Sequence, residues 1–338
     1  MQPPPPTAPA RVRRVAVLGA GMISFKHLTA WKTVTGAEVV AVVDPDAGRA
    51  AARAAEFSIP HHYPSFASLL SEQAIDAVDI ASSRDSHGPL LREAMQRCIP
   101  AICEKPLMPS VADAEQLVGD ARNRSRIMVN QNFRFRPYFQ LMKQWIDEGL
   151  VGELTSCTID CRSSGLLRNA NGNYPYIERQ PFVRREPRMM IEEVLIHRID
   201  IARWLCGPLR LLAARTLHSC PELLGESEAS IFLAAGARGF PVVVDGNFAS
   251  AGYPALSQDR VEIIGDRSRI LMEANVLRLI GPRMSVHEFE PVGSIQQSFN
   301  ASMQHFIDCL QTGEPFLTDA EENLETLRLI DAAYAAAS

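Results

Sequence analysis

Between Arg13 and Val129, short apolar runs rich in β-branched residues alternate with helical stretches, and this alternation restricts the chain to very few folds. The runs are Val15–Leu18, Val39–Val43, Ala77–Ile80, Ala101–Cys103 and Ile127–Val129. Helical periodicity fills the intervals, for example over His87–Arg97 and Val111–Arg122. Short apolar strands joined through helices form a parallel sheet wound on both faces, so this half reads as a doubly wound α/β domain.

After Asn130 the rhythm changes. A helix over Pro137–Glu148 and a strand over Leu154–Arg162 precede a polar loop, Ser163–Arg188, and a second helix ending at Leu205. Strand-like runs follow at Ala229–Leu233, Val242–Phe248, Arg260–Ile264 and Arg269–Met272, joined by turns containing glycine and closed by helices at Ser302–Gln311 and Ala320–Ala337. This pattern is α+β with one large, mainly antiparallel sheet. Five prolines among the first ten residues cannot continue a helix or donate to a sheet, so residues 1–12 are expected to be a disordered leader. The expected division is then a doubly wound α/β domain over 13–129 and an α+β domain over 130–338. A chain of 338 residues has the length for two domains, and at this size about 75% of the unfolded surface is buried, so the core needs no covalent staples.

Charge and cysteine content exclude several classes. A net charge of −5 lacks the basic excess that phosphate contacts demand, which argues against a nucleic-acid binder. Seven cysteines are too sparse and too odd in number for a disulfide scaffold. Cys157 and Cys161 are the closest pair, but no second Cys or His pair stands near them, so buried thiols are expected and no metal. Charges interrupt every apolar segment before the roughly 18 residues a membrane span needs, and the cytoplasm is the expected compartment.

The first strand runs into Gly19-Ala20-Gly21-Met22-Ile23-Ser24 and then a helix, the context a dinucleotide-binding loop requires. Gly19 permits the tight turn. Gly21 lets the backbone approach a pyrophosphate, whose charge meets the N–H groups that open the helix. Ser24 stands where a third glycine is usual and is small enough for close helix–strand packing. Asp44, 23 residues after Gly21 at the end of the second run, has the spacing of an acid that accepts ribose hydroxyls and repels a 2′-phosphate. NAD is the expected cofactor, with NADP the alternative, for which Arg49 and Arg53 are the nearest cations.

The run ending at Cys103 leads into Glu104-Lys105-Pro106, which puts Lys105 at the carboxyl edge of the parallel sheet, where ligands of open α/β folds bind. At 100° per residue, Glu193, His197, Asp200 and Trp204 share one narrow face of the later helix. A Glu/His pair at this spacing suits a solvated helix face as well as a proton relay. Arg198 interrupts the apolar side of the same helix and needs a partner.

On these residues the chain resembles the glucose-fructose oxidoreductase, inositol dehydrogenase and rhizopine-catabolism (Gfo/Idh/MocA) oxidoreductases. The resemblance rests on Gly19-Ala20-Gly21, Asp44, the Ser82–His87 turn, Glu104-Lys105-Pro106, the junction Asn132-Phe133-Arg134-Phe135-Arg136-Pro137, and Glu193 with His197 and Asp200. It implies a Rossmann domain holding NAD(P) through Gly19, Gly21, Met22, Ile23, Asp44, Ser82, Ser83, His87, Glu104 and Lys105. It also implies an open-sheet domain that assembles dimers or tetramers, and a sugar, polyol or sugar-acid substrate. The implied reaction is hydride transfer between nicotinamide and a carbinol carbon, with Lys105 polarising the oxygen, His197 exchanging the proton, and the two roles exchangeable. Glu193 occupies the position where many relatives carry Asp. Arg134, Arg185, Tyr174 and Tyr176 are the expected substrate contacts, and the arginines around Arg179, Arg184, Arg185 and Arg188 favour an acidic substrate. Two alternatives accompany this reading: an NAD-dependent glycoside hydrolase of the same family and a non-catalytic nucleotide-sensing regulator.

Overall fold

The computed structural model describes residues 11–122 and 124–337. The expected leader lies outside them as far as Ala10. The chain divides into two compact units, one comprising the chain up to Phe135 with Ile295–Leu324, the other comprising Arg136–Ser294 with the chain from Glu325.

In the first unit the alternation read from the sequence becomes β1 (Arg13–Leu18), α1 (Ser24–Trp31), β2 (Ala37–Val43), α2 (Ala47–Phe57), β3 (His61–Tyr63), α3 (Phe66–Glu72), β4 (Ala77–Ile80), α4 (Arg84–Gln96), β5 (Ala101–Cys103), α5 (Val111–Ala121) and β6 (Ile127–Val129). The six strands form one parallel sheet in the order β3-β2-β1-β4-β5-β6. That order reverses direction between β1 and β4, which opens a crevice at the carboxyl ends of the strands. The central strands are apolar throughout because helices cover both faces, and Val15, Val17, Val42, Val78 and Ile102 are fully buried. β3 has no apolar run to announce it; pairing with Ala41–Val43 makes His61–Tyr63 a strand.

The second unit contains α6 (Pro137–Asp147), β7 (Leu154–Arg162), α7 (Pro175–Arg179), α8 (Ile196–Cys206), β8 (Leu209–Leu217), β9 (Glu228–Ala235), β10 (Phe240–Asn247), β11 (Gln258–Gly265), β12 (Arg269–Glu273), β13 (Val276–Ile280) and β14 (Ser285–Glu288). Its eight strands follow the order β14-β13-β12-β11-β7-β10-β9-β8, parallel at β7–β10 and antiparallel at the other pairings. Cross-strand partners share a face: Leu233, Val242, Cys157, Ile263, Ile270 and Leu279 are in register and buried. The opposite row, from Phe232 through Val243, Thr158, Glu262, Leu271 and Arg278 to Val286, is partly or fully exposed.

Two late helices follow, α9 (Pro291–Thr312) and α10 (Ala320–Ala336). The expected second domain of 130–338 therefore loses Asn130–Phe135 and Ile295–Leu324 to the first unit. The reason is a hole in the first core. Phe299, Met303, Phe306, Ile307 and Phe316 pack with Val15, Leu28, Trp31 and Met128. Thr318 accepts from the Val129 amide at 2.7 Å and its hydroxyl returns a bond to the Val129 carbonyl, which satisfies the outer edge of β6.

Candidate active site

The crevice begins at the turn after β1. Gly19 has φ of +117°, and a Cβ there would lie 2.4 Å from the Ala81 carbonyl oxygen, so only glycine fits. At Gly21 a Cβ would meet nothing within 4 Å, leaving clear space over the backbone that opens α1. Ser24 is fully buried and its hydroxyl donates to the Gly21 carbonyl at 2.7 Å, a bond that a third glycine would lack. Met22 is exposed and Ile23 half-buried beside it.

Asp44 stands at the end of β2 with its carboxylate loaded in advance. Its Oδ2 accepts from the Ala20 amide at 2.9 Å, and its Oδ1 accepts from the Asp46 amide and from Arg49, both at 2.9 Å. Burial pushes the Asp44 carboxyl up, but the amides of Ala20 and Asp46 and the Arg49 guanidinium outweigh it and hold its pKa below the ordinary value. Arg49, considered above as a cation for a 2′-phosphate, is turned onto this carboxylate, and Arg53 donates to Glu56 and the Gly21 carbonyl. An open glycine backbone at a helix start and an ionised acid on the next strand fit NAD.

Next in the crevice are the β4 and β5 ends. Ser82 and Ser86 share a hydrogen bond of 2.6 Å, while Ser83 is exposed at the start of α4. His87 is buried beneath them. Burial pushes its pKa down, and a neutral ring has one N–H, which the shorter contact assigns to Nδ1 donating to the Pro106 carbonyl at 2.8 Å. His87 therefore ties the serine turn to the Lys105–Pro106 segment from behind. Glu104 is 9% exposed; its Oε2 accepts from the Lys105 amide and its Oε1 from Asn130. Lys105 itself is half-buried.

In the second unit the residues 190–206 do not form one α-helix. Met190–Leu195 is π-helical and passes into α8 at Ile196. The wider turn alters the 100° spacing at Glu193, while His197, Asp200 and Trp204 lie on the regular α8. Glu193 and His197 remain half-buried, whereas Asp200 is 1% exposed and accepts from Thr326. The π-helical segment is held by Glu226, a buried carboxylate that accepts from the amides of Met189 and Ile191 and from the Tyr334 hydroxyl. Arg198 finds its partner in Asp259, donating through Nε and Nη2 at 3.0 and 2.8 Å, with Nη1 on the Val194 carbonyl.

The expected substrate contacts differ in their surroundings. Tyr176 is buried against Phe248, and burial, then the Glu193 carboxylate, push its phenol pKa up, so those two expected residues are neighbours. Tyr174 is half-buried under Arg168, and Arg185 is exposed. Arg134, at 2% exposure, donates to the Leu317 carbonyl and Glu322 inside the first unit. The arginine cluster is also partly neutralised, Arg184 by Glu222 and Arg188 by Glu192 and Asp331.

Sequence reasoning passed over His27, Trp31 and Asp79, which meet under the crevice floor. The signal was present in Asp79, an acid inside the apolar run Ala77–Ile80, because a charge in a buried strand demands a partner.

A model of an oxidoreductase family with an NAD-binding Rossmann fold matches residues 13–132, and the Gfo/Idh/MocA C-terminal domain matches 139–271. D-apiose dehydrogenase of Paraburkholderia graminis is 32% identical over 335 residues, covering 95% of this chain and 87% of that protein. Inositol 2-dehydrogenase 1 of Saccharopolyspora erythraea is 28% identical over 314 residues, covering 89% and 87%. An oxidoreductase from Agrobacterium radiobacter, solved in complex with NAD+, L-tartaric acid and magnesium, matches with a TM-score of 0.89 at 30% identity over 96% of both chains. Fold and crevice thus define an NAD-dependent oxidoreductase. The chain belongs to the Gfo/Idh/MocA family.

Proposed function

We propose that the chain interconverts a carbinol and a carbonyl carbon of a sugar, polyol or sugar acid, with Lys105 polarising the substrate oxygen and His197 exchanging the hydroxyl proton. The observation that carries this reading is the setting of Lys105, a half-buried cation at the carboxyl edge of the sheet whose amide is held by Glu104 and whose neighbouring carbonyl is held by His87. An ammonium fixed there stabilises a developing alkoxide, an interaction worth several kcal/mol in a water-poor site. When bound, NAD supplies the two-electron acceptor at nicotinamide C4.

Gly19, Gly21, Met22 and Ile23 receive its pyrophosphate, Asp44 its ribose, and Ser82 and Ser83 the far side, with His87 and Glu104 shaping the floor. Glu193 orients either the substrate hydroxyl or the His197 ring. Arg185, Tyr174 and Tyr176 form the substrate side; with Arg184 and Arg188 paired to acids, the exposed Arg185 meets a substrate carboxylate. The names of the relatives support the class, since apiose, inositol and tartaric acid all carry hydroxyls on neighbouring carbons. We also propose that the exposed face of the eight-stranded sheet joins copies of the chain into a homodimer or homotetramer.

The test is a panel of aldoses, polyols and aldonates with NAD, followed by absorbance of the reduced cofactor. On the best substrate, Lys105→Met and His197→Asn should each lower kcat by about 100-fold or more while leaving NAD affinity nearly unchanged. Undiminished turnover in either variant removes that residue from the mechanism.

A further inference from the structure

Under the crevice floor lies a chain of charges of which the proposed mechanism uses only Glu104 and leaves His27 and Asp79 without a role. His27, on α1, is completely buried. Its Nδ1 lies 2.9 Å from both carboxylate oxygens of Asp79, and its Nε2 lies 2.9 Å from Glu104 Oε1. Carboxylates only accept, so both ring nitrogens donate and the ring is an imidazolium. Trp31 Nε1 donates to Asp79 at 2.7 Å, Asn130 Nδ2 donates to Glu104 at 2.7 Å, and the Ser302 hydroxyl donates to Asn130 Oδ1 at 2.8 Å. The Phe299 ring closes the remaining side, 5.3 Å from the imidazole.

This arrangement reaches Lys105 through one residue. Glu104 uses Oε1 on His27 and Asn130 and folds Oε2 back onto the Lys105 amide at 3.2 Å. The Leu107 amide is fixed in turn by Asn323. We propose that His27 is a positioning residue: as a cation clamped between Asp79 and Glu104, it keeps Glu104 ionised and thereby holds the backbone from which Lys105 projects. The inference rests on the reading of Lys105 as the polarising group.

The electrostatics agree with the geometry. The groups facing the ring are Asp79 from β4, Glu104 from the end of β5 and the Cys103 thiol beside both, with the Lys105 cation beyond Glu104. Burial works against a charged ring, but the two carboxylates overcome it and push the His27 pKa up to about 10. Glu104, which burial pushes up, is carried below its ordinary value by His27, Asn130 and Lys105. Wild-type kcat should therefore show no ionisation from His27 or Glu104 between about pH 5 and 9.

The experiment compares kcat–pH profiles of the wild type, His27→Gln, the double variant H27Q/E104Q and Lys105→Met, with NAD affinity measured for each. Without its counter-cation, Glu104 takes up a proton at higher pH. H27Q should lose about 10- to 100-fold in kcat at neutral pH, gain a new ionisation that lowers kcat toward acid, and keep its NAD affinity. The double variant should lose that ionisation. An H27Q profile parallel to the wild type, or a new limb that survives in the double variant, overturns the proposal. A fully active K105M variant overturns both readings, whereas an inactive K105M with a parallel H27Q profile sinks only the role of His27. If H27Q does not fold, the wild-type chain labelled with 15N-histidine decides: one of its eight imidazoles should stay doubly protonated at pH 9, and none doing so rejects the clamp.

Discussion

Asp44, proposed as the acid that takes the cofactor's ribose, is held in place in advance. Its three donors hold the carboxylate in place before any hydroxyl arrives, so little ordering remains to be done on binding. Asp44→Ser removes charge-assisted hydrogen bonds worth about 1.5–3 kcal/mol, and calorimetry should show NAD binding weakened by roughly 10- to 150-fold while NADP gains relative to it. A native protein that prefers NADP would refute the assignment. Two of the shifted groups in and under the crevice also act on stability with opposite signs. Asp44, depressed on folding, contributes above its unfolded value of 3.8 and loses that contribution as pH falls through its lowered folded value. His27, raised on folding, contributes fully below 6.5 and loses it as pH climbs through about 10. The position of Asp44 was legible from spacing along the chain. His27 was not, because its meaning lies in partners 52 and 77 residues away.

At the level of elements, the segment carrying Glu193 and His197 departs furthest from sequence expectation. Apolar spacing announced a helix but not its pitch, and only the tertiary anchors on either side account for the π-helical start: Glu226 at the Met189 and Ile191 amides, and Asp259 on Arg198. The Arg198–Asp259 pair is 7% and 6% exposed, so breaking it strands a buried charge. Asp259→Ala should cost about 3–5 kcal/mol, read as a lower midpoint in urea denaturation, together with reduced kcat; an unchanged midpoint would show that the pair does not hold this segment. Strands with strong β-branched runs, such as β1, β4 and β10, were legible. β8 and β14 were not, because their alternation of exposed polar and apolar residues follows from an open sheet face that no local pattern declares.

That open face governs the prediction at the scale of the whole molecule. Phe232 is 45% and Val286 61% exposed at opposite ends of one row, and between them lie the ion pairs of Arg162 with Asp245 and of Arg260 and Arg269 with Glu262. Such a surface, apolar at its ends and ordered in charge, suits a second copy. Light scattering should give two or four times 37.3 kDa for the wild type, and Phe232→Glu should shift the mass toward the monomer. A monomeric wild type would dispose of the assembly. Domain membership was the least legible property of the sequence, since nothing in Ile295–Leu324 says which half it completes.

The late segment imposes an order on synthesis. Most of the nucleotide-binding half emerges from the ribosome early, yet Phe299, Met303, Phe306 and Phe316, which fill its interior, are made only after residues 136–294. At about 5 to 20 residues per second, translation from Phe135 to Phe316 takes roughly 10 to 35 seconds, during which Trp31 and the outer edge of β6 wait uncovered. The nascent chain therefore exposes an apolar surface and a bare strand edge while residues 136–294 are made, the kind of surface through which incomplete chains aggregate.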